Sequence, residues 1–185
     1  MKLIVVTGNA HKAQEVQEFF QGALSVEHVA LDIPEHRHHD VRVIAEGKAS
    51  YAFGVLHQPL IVDDTEFSID ALKGFPGPYA AYVLHTIGNE GILRLLRGIE
   101  NRSAHFLTAI AYADASGIRV FTGRIDGKIV DPRGSGGFGY DPIFEWEGKT
   151  LADLPLSVKS AISHRARALT AFHDWFCRER SDCIR

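Results

Sequence analysis

Apolar residues recur along the chain with the alternating period of strands in some segments and with the helical period in others. The patterns predict strands at 2–6, 25–31, 103–113 and 118–129, and helices around 16–20, over 41–56, 80–85 and 91–97, and after Ser163. The residues at 114–117 have the composition of a hairpin turn between the last two strands. We therefore predict a mixed sheet flanked by helices, in a single α/β domain that spans 1–185.

The segment 60–70 is central to this prediction. An apolar run leads into Asp63 and Asp64, and a β-rich run with alternating Phe67 and Ile69 follows. We interpret the segment as a buried strand interrupted by a bend, which places the two carboxylates at a strand end. Ligands bind at that edge of open α/β sheets, and Mg²⁺ prefers carboxylates together with substrate phosphates. A solvated turn is the alternative interpretation.

Thr7, Gly8 and Asn9 follow the first strand, and Lys12 lies in the first turn of the helix that comes next. Backbone N–H groups at a helix N-terminus attract phosphate, and a lysine adds a point charge. The spacing differs from that of a Walker loop, so an ordinary N-cap turn is the alternative. The pattern predicts a turn that binds phosphate.

A glycine-rich loop occupies residues 132–144. Glycines let the backbone approach a ligand closely, and Phe138 or Tyr140 offers an aromatic face to a base. An ordinary turn is the alternative here too. The loop is a candidate wall for a nucleotide base.

Ser163 is predicted to cap a helix whose first turn carries His164 and Arg165. Cations at that position oppose the helix dipole, so we expect a ligand with negative or carbonyl character to hold them, with simple exposure as the alternative. Lys48 lies beside the apolar stripe of the helix at 41–56 and either snorkels to solvent or reaches a cleft.

Three histidines fall within the four residues 36–39, a composition that also occurs in transition-metal sites. Residues so close together in a polar loop rarely converge on one ion. We therefore interpret 36–39 as an exposed loop.

Composition narrows the functional classes. The chain has 185 residues, of which 45% are hydrophobic and 23% charged, and this balance is typical of a globular protein rather than a disordered one. A formal net charge of −3 argues against a protein that holds polymeric nucleic acid by its phosphates. The ligand is therefore expected to be small.

The two cysteines, Cys177 and Cys183, lack the spacing of a zinc site or a disulfide framework, and reduced thiols are typical of cytosolic proteins. The apolar run at residues 3–6 is too short for a signal peptide or a membrane span, and no later run reaches about 18 residues. We expect no membrane partner and a cytoplasmic location.

Taken in order, seven blocks of the chain resemble the inosine triphosphate pyrophosphatase family, also called Ham1-like. The blocks are Thr7-Gly8-Asn9 with Lys12, Ile33-Pro34-Glu35, Ala45 with Lys48-Ala49, Asp63-Asp64-Thr65, Gly74-Phe75-Pro76-Gly77-Pro78-Tyr79, Gly137 to Phe144, and Lys159 with Ser163-His164-Arg165. The runs at 65–70 and 82–88 are most similar to the archaeal branch.

The resemblance implies an elongated mixed α/β fold with two lobes around a nucleotide-binding cleft, in a homodimer. It also implies Mg²⁺-dependent hydrolysis of non-canonical purine nucleoside triphosphates, such as ITP, dITP and XTP, to the monophosphate and pyrophosphate. By position, Glu35 and Asp64 match metal ligands, and Asp64 also matches the proton acceptor. The positions that match nucleotide contacts are Thr7, Gly8, Asn9, Ala10, His11, Lys12, Lys48, Thr65, Phe138, Gly139, Tyr140, Asp141, Lys159, His164 and Arg165.

The chain departs from the family pattern after the Pro-Gly-x-Tyr turn. It has Ala80-Ala81-Tyr82 where a basic residue is common, which removes one expected contact. Two alternative functions stay open: a pyrophosphatase of modified pyrimidine nucleotides, as in the distantly similar Maf-type enzymes, and a nucleotide sensor without turnover.

Overall fold

The computed structural model describes residues 2–21, 24–34 and 36–179. The strands are β1 (Lys2–Val6), β2 (Ser25–Val29), β3 (Leu60–Ile69), β4 (Pro76–Gly77), β5 (Ser103–Asp114), β6 (Gly117–Ile129), β7 (Phe144–Trp146) and β8 (Lys149–Thr150). The helices are α1 (Ala10–Phe19), α2 (Val41–Leu56), α3 (Ala80–Thr86), α4 (Gly88–Leu95), α5 (Leu156–Ile162) and α6 (His164–Glu179).

The strands form one mixed eight-stranded sheet in the order β2-β1-β3-β5-β6-β7-β8, with β4 paired to β3. β1 runs parallel to both β2 and β3, whereas the β3–β5 and β5–β6 ladders are antiparallel. β3 is therefore the strand at which the sheet changes from parallel to antiparallel pairing. The predicted mixed sheet flanked by helices is confirmed.

The predicted bend in segment 60–70 is wrong. β3 pairs with β5 along its whole length without a break. Its parallel pairing with β1 ends at Val62, so Asp63 and Asp64 lie in mid-strand, just beyond the end of β1. Successive side chains of a strand point to opposite faces. Polar partners on both faces, rather than solvent at a bend, therefore accommodate the two acids.

Two apolar clusters cover opposite faces of one half of the sheet, which we call the large lobe. One cluster joins α1 and α6 to the strands around Tyr112 and Phe172. The other joins α2 to the opposite face of the same strands, where Val41 and Val62 are buried. Burial of these apolar faces against the sheet is the main source of stability in such a layered fold.

A third apolar cluster defines the small lobe. It packs α3 and α4 against the far ends of β3, β5 and β6, where Phe67, Phe106 and Phe144 meet with ring centroids 4.6 to 6.2 Å apart. β3 and β5 contribute buried residues to all three clusters. The lobes are thus two ends of one sheet.

Several predicted boundaries match the structure. The helix predicted at 41–56 is α2, and the Asp40 carboxylate caps it by accepting from the Arg42 N–H at 2.9 Å. The hairpin predicted at 114–117 joins β5 to β6. β2 ends at Val29, two residues before the predicted end, and α5 was not predicted.

Within the described residues, no helix combines the length and the apolar character needed to cross a membrane.

Candidate active site

The turn between β1 and α1 lies at the cleft and is ordered by its own side chains. Asn9 is the N-cap of α1, where its Oδ1 accepts from the N–H groups of His11 at 3.0 Å and Lys12 at 3.4 Å. Thr7 Oγ1 accepts from the Asn9 N–H at 3.1 Å. Space is open around Gly8, where an added Cβ would meet nothing within 4 Å. The turn is therefore the N-cap of α1, as the alternative interpretation stated. The same turn also lines the cleft.

Asp63 points to the α1 and α6 face of the sheet, where two cations hold it. Its Oδ2 accepts from Arg165 Nε at 2.9 Å and forms an ion pair with Lys12 Nζ at 3.2 Å. Burial alone would raise the pKa of Asp63, but Lys12 and Arg165 outweigh it and lower that pKa to about 2. Asp63 is thus ionised and neutralised within the protein.

Glu15 of α1 continues this buried network of charges. Its carboxylate forms ion pairs with Arg165 and, at 2.8 Å, with Lys159 Nζ. Lys159 Nζ also donates to Asp141 Oδ2 at 2.7 Å. Burial raises the pKa of Asp141 despite that lysine, whereas the two cations lower the pKa of Glu15 in spite of burial. This network, Asp63–Arg165–Glu15–Lys159–Asp141, therefore links β3 and α1 to the glycine-rich loop.

His164 is buried and neutral. Its Nδ1 lies 2.6 Å from Thr108 Oγ1, and its ring stacks on Phe106 with centroids 4.8 Å apart. Burial, with added repulsion from Arg165 and Lys159, holds the pKa of His164 well below its usual range. The alternative of simple exposure is wrong, because His164 and Arg165 are both buried. Glu15 and Asp63 balance the charge of Arg165 from within the protein, and His164 carries no charge.

Phe138 and Tyr140 differ in environment. Tyr140 is 4% exposed, stacks on Phe67 in the small lobe and donates its hydroxyl to the Ala80 carbonyl at 2.8 Å. Phe138 is partly exposed, and its N–H donates to Asp141 Oδ2 at 2.7 Å. Of the two aromatic side chains, Phe138 is thus the one available to a base.

Glycine is required at position 137 of this loop. Gly137 has φ +70°, and a Cβ there would overlap the Asp141 carboxylate. Asn89 at the start of α4 also anchors the loop, because its Nδ2 donates to the Gly139 carbonyl at 3.0 Å. The loop is therefore fixed from both lobes.

Asp64 points to the α2 face, opposite to Asp63. Its Oδ2 forms an ion pair with Lys48 of α2, and its Oδ1 accepts from the Thr65 N–H at 2.9 Å. The side chains of Asp64 and Lys48 are 12% and 27% exposed. The pair therefore lies at the wall of the cleft, where both groups remain accessible.

The donor set at Asp64 is suited to a hard cation. Mg²⁺ is commonly bound by one or two carboxylates plus substrate phosphates, and the ammonium group beside Asp64 Oδ2 shows that this oxygen attracts positive charge. The second predicted ligand, Glu35, lies outside the described residues. Among the described residues, no group of three or more His, Cys, Asp or Glu side chains forms a metal-binding cluster, and this includes the histidines of 36–39.

The structure gathers most of the predicted site residues around one cleft of about 500 Å³ between the lobes. The predicted residues that line it are Thr7, Gly8, Asn9, Lys12, Lys48, Asp64, Thr65, Phe138, Gly139, Tyr140, Asp141, Lys159, His164 and Arg165. His11 lines a smaller cavity of about 200 Å³ beside it, and Ala10 lines neither cavity. Tyr79, Ala80, Ala81 and Tyr82 add an uncharged wall where a basic contact is common in the family.

Sequence reasoning missed Glu15, Thr108 and the role of Asp63. Glu15 lies three residues after Lys12, so both occupy one face of α1, and that spacing is the signal that could have identified it. Thr108 lies in an apolar run and binds both Thr65, at 2.7 Å, and His164. No local pattern marks it.

Known proteins resemble this chain in sequence and in fold. The sequence profile of the Ham1 family matches residues 3–175. A dITP/XTP pyrophosphatase of Methanopyrus kandleri is 48% identical over 181 residues, which cover 95% of this chain and 96% of that protein. Inosine triphosphate pyrophosphatase 2 of Trypanosoma cruzi is 41% identical over 95% of this chain and 92% of its own length.

Solved structures show the same fold. A HAM1 protein from Coxiella burnetii superposes with a TM-score of 0.84 at 27% identity, over 96% of this chain and 99% of that one. The Staphylococcus aureus Ham1 protein gives 0.83 at 27% identity, over 97% and 100%. Profile, relatives and architecture agree over nearly the whole chain, which therefore belongs to the Ham1 family.

Proposed function

We propose that this protein hydrolyses non-canonical purine nucleoside triphosphates, such as ITP, dITP and XTP, to the monophosphate and pyrophosphate, and so removes them from the nucleotide pool. One observation carries the proposal: the turn between β1 and α1, the carboxylate of Asp64 and the ring of Phe138 all line one cleft. Relatives named dITP/XTP pyrophosphatase and inosine triphosphate pyrophosphatase support it.

The phosphates are bound at the turn between β1 and α1. The helix N-terminus attracts negative charge, and Lys12 and Lys48 approach the cleft from opposite faces of the sheet. Both lysines neutralise phosphoryl oxygens, whose charge otherwise repels an attacking water. Thr7 and Asn9 keep the turn in place for this contact.

Asp64 is the proposed proton acceptor. It orients a water molecule, whose oxygen forms a bond to the α-phosphorus as its proton passes to the carboxylate. The bond from the α-phosphorus to the bridging oxygen breaks, and pyrophosphate leaves with the electron pair. Such a base contributes on the order of 10² to 10⁴ in rate. Mg²⁺, held by Asp64 and by Glu35 as the family resemblance implies, supplies further charge neutralisation when bound.

Selectivity rests on the 6-oxo group of the base. Arg165 already donates to Glu15, Asp63 and Thr65, so the neutral His164 is the donor that the proposal needs. The proposal requires the tautomer in which Nδ1 accepts from the Thr108 hydroxyl and the imidazole proton lies on Nε2. A 6-amino group would present a donor to this donor, and sites built on such hydrogen bonds reject analogues by about 10⁴ to 10⁵.

One assay tests the function. The protein is incubated with Mg²⁺ and the triphosphates of inosine, xanthosine, guanosine, adenosine and a modified pyrimidine, and pyrophosphate is measured separately from orthophosphate. We expect pyrophosphate from the inosine and xanthosine substrates. Turnover restricted to the modified pyrimidine would favour a Maf-type activity, and binding without turnover would favour a sensor. Orthophosphate as the first product would place the cut at the γ-phosphate.

The resemblance also supports a homodimer, and the thiol composition supports a cytoplasmic location. Light scattering coupled to gel filtration measures the mass of the particle, and fractionation of cells that express the tagged chain locates it. A monomeric mass at micromolar concentration contradicts the first of these proposals, and recovery outside the cytoplasmic fraction contradicts the second.

A further inference from the structure

The ring of His11 covers the aromatic wall. It stacks on Phe138 with centroids 5.0 Å apart and 12° between the ring planes. Both rings line the smaller cavity of about 200 Å³, together with Gln14, Glu15, Gly137 and Lys159. Phe138 and Lys159 also line the main cleft, so the two cavities adjoin.

The backbone of His11 is fixed while its ring stays at the surface. The N–H of His11 donates to Asn9 Oδ1 as part of the N-cap of α1, which sets the position from which the side chain starts. The residue is exposed, and its imidazole ring stacks on the ring of Phe138. The ring can therefore move while the phosphate turn stays intact.

We infer that His11 is a base-binding residue: the purine inserts between the rings of His11 and Phe138. This rests on the proposed function, and it assigns to His11 a contact with the base rather than with the phosphates beside it. A planar base in contact with two rings needs about 3.5 Å on each side, or about 7 Å between the rings. The centroid distance of 5.0 Å is an upper bound on the present separation of the two ring planes. His11 therefore has to swing outward by at least about 2 Å. Exposed side chains do so in picoseconds to nanoseconds.

Stacking from both sides has a specific signature. Every base has a π face, so the contact strengthens the binding of inosine, xanthosine and guanosine nucleotides by the same factor. It adds nothing to the binding of a triphosphate without a base. A residue of the phosphate turn would behave in the opposite way.

The test compares His11→Ala and His11→Phe with the wild type. Dissociation constants for ITP and for inorganic tripolyphosphate are measured by calorimetry in EDTA, where no turnover is needed, and KM and kcat are then measured with Mg²⁺. His85→Ala is the matched control, because His85 is exposed on α3 and lies outside the residues that line either cavity.

For His11→Ala we expect the Kd and KM for ITP to rise about 5- to 30-fold, with kcat within twofold and the Kd for tripolyphosphate unchanged. His11→Phe restores the ITP values, and His85→Ala matches the wild type. An unchanged Kd for ITP in His11→Ala overturns the inference, and so does an equal rise for tripolyphosphate. If the wild type binds ITP without hydrolysing it, the proposed function fails while the role of His11 is still decided. If it binds no nucleotide, both fail.

Discussion

Asp63 and Asp64 are neighbours in sequence and lie in opposite environments. Asp63 faces α1 and α6, where Lys12 and Arg165 neutralise it in a buried network. Asp64 faces α2, where it forms an ion pair with Lys48 at the wall of the cleft. The alternation of a β-strand separates the two carboxylates by placing them on different faces. One strand thus supplies a structural acid and a chemically accessible acid at consecutive positions.

The contrast shows how the protein holds several charges around one cleft without losing its fold. On the α1 and α6 face, Lys12, Lys159 and Arg165 are matched by Glu15, Asp63 and Asp141. Buried charges are tolerated when they are paired in this way. On the α2 face the side chains of Asp64 and Lys48 are 12% and 27% exposed and form an ion pair at the wall of the cleft.

The largest expected effect is that of Asp64→Asn on turnover. The amide keeps the shape of the carboxylate but accepts no proton, so kcat should fall by about 10² to 10⁴. The free energy of unfolding should stay close to that of the wild type, since the lost pair is partly exposed. Pyrophosphate release and urea denaturation measure the two quantities.

Asp126→Asn is the control for this substitution, because Asp126 lies on the same sheet in an exposed pair with Arg124. It should retain full activity. Near-wild-type turnover in Asp64→Asn would remove the catalytic assignment, and a loss of stability as large as that of Asp63→Asn would remove the contrast between the two acids.

Asp63→Asn should act first on stability. It leaves Arg165 and Lys12 without one carboxylate, and removal of one partner from a buried ion pair costs about 3 kcal/mol. Urea denaturation checks the change in the free energy of unfolding. Glu27→Gln, in an exposed pair with Lys2, should show no measurable change. An Asp63→Asn protein as stable as the Glu27→Gln control contradicts the structural role of Asp63.

The smallest expected effect concerns pH and His164. Its pKa is lowered in the folded state, so the unfolded chain binds a proton that the folded protein excludes. The folded protein therefore keeps the full stability that the neutral His164 contributes above about pH 6.5, the usual pKa of histidine. Below that pH the free energy of unfolding falls by at most about 1.4 kcal/mol per pH unit because of His164.

His164→Asn removes this titration while keeping a polar group near Thr108. The free energy of unfolding, measured from pH 7 to pH 5, should therefore fall less steeply in His164→Asn than in the wild type. Other histidines contribute equally to both proteins and cancel in the comparison. Parallel slopes would show that His164 binds a proton as readily in the folded state as in the unfolded chain, and would contradict a lowered pKa.

Much of the fold could be predicted where it depends on patterns among residues close together in sequence. The limits of α2 follow from its apolar period, and the hairpin at 114–117 follows from turn composition. The bend at Asp63 was predicted wrongly because two acids within an apolar strand resemble a strand end when only neighbours in sequence are considered. Their partners are remote: Arg165 lies 102 residues from Asp63.

That most of the predicted residues lie around one cleft could be predicted from the sequence, and the ion pairs among them could not. Motif order brought Lys48, Asp64 and Arg165 to one cleft, as the lining residues show. It did not show that Arg165 binds Glu15 and Asp63, because an acid on an amphipathic helix has the same local pattern whether it faces solvent or a buried guanidinium. Pairing across 150 residues depends on how α1 and α6 pack on the sheet.

The continuity of β3 has a mechanical consequence. The strand passes from the large lobe into the small one as a single hydrogen-bonded ladder, and β5 passes beside it in register from Ala104 to Ala113. A hinge between the lobes would have to break backbone hydrogen bonds between β3 and β5. We therefore expect the two lobes to keep their relative positions. Ligand capture then falls to side chains at the rim, and we expect crystals of the free protein to survive soaking with nucleotide without a change of lattice.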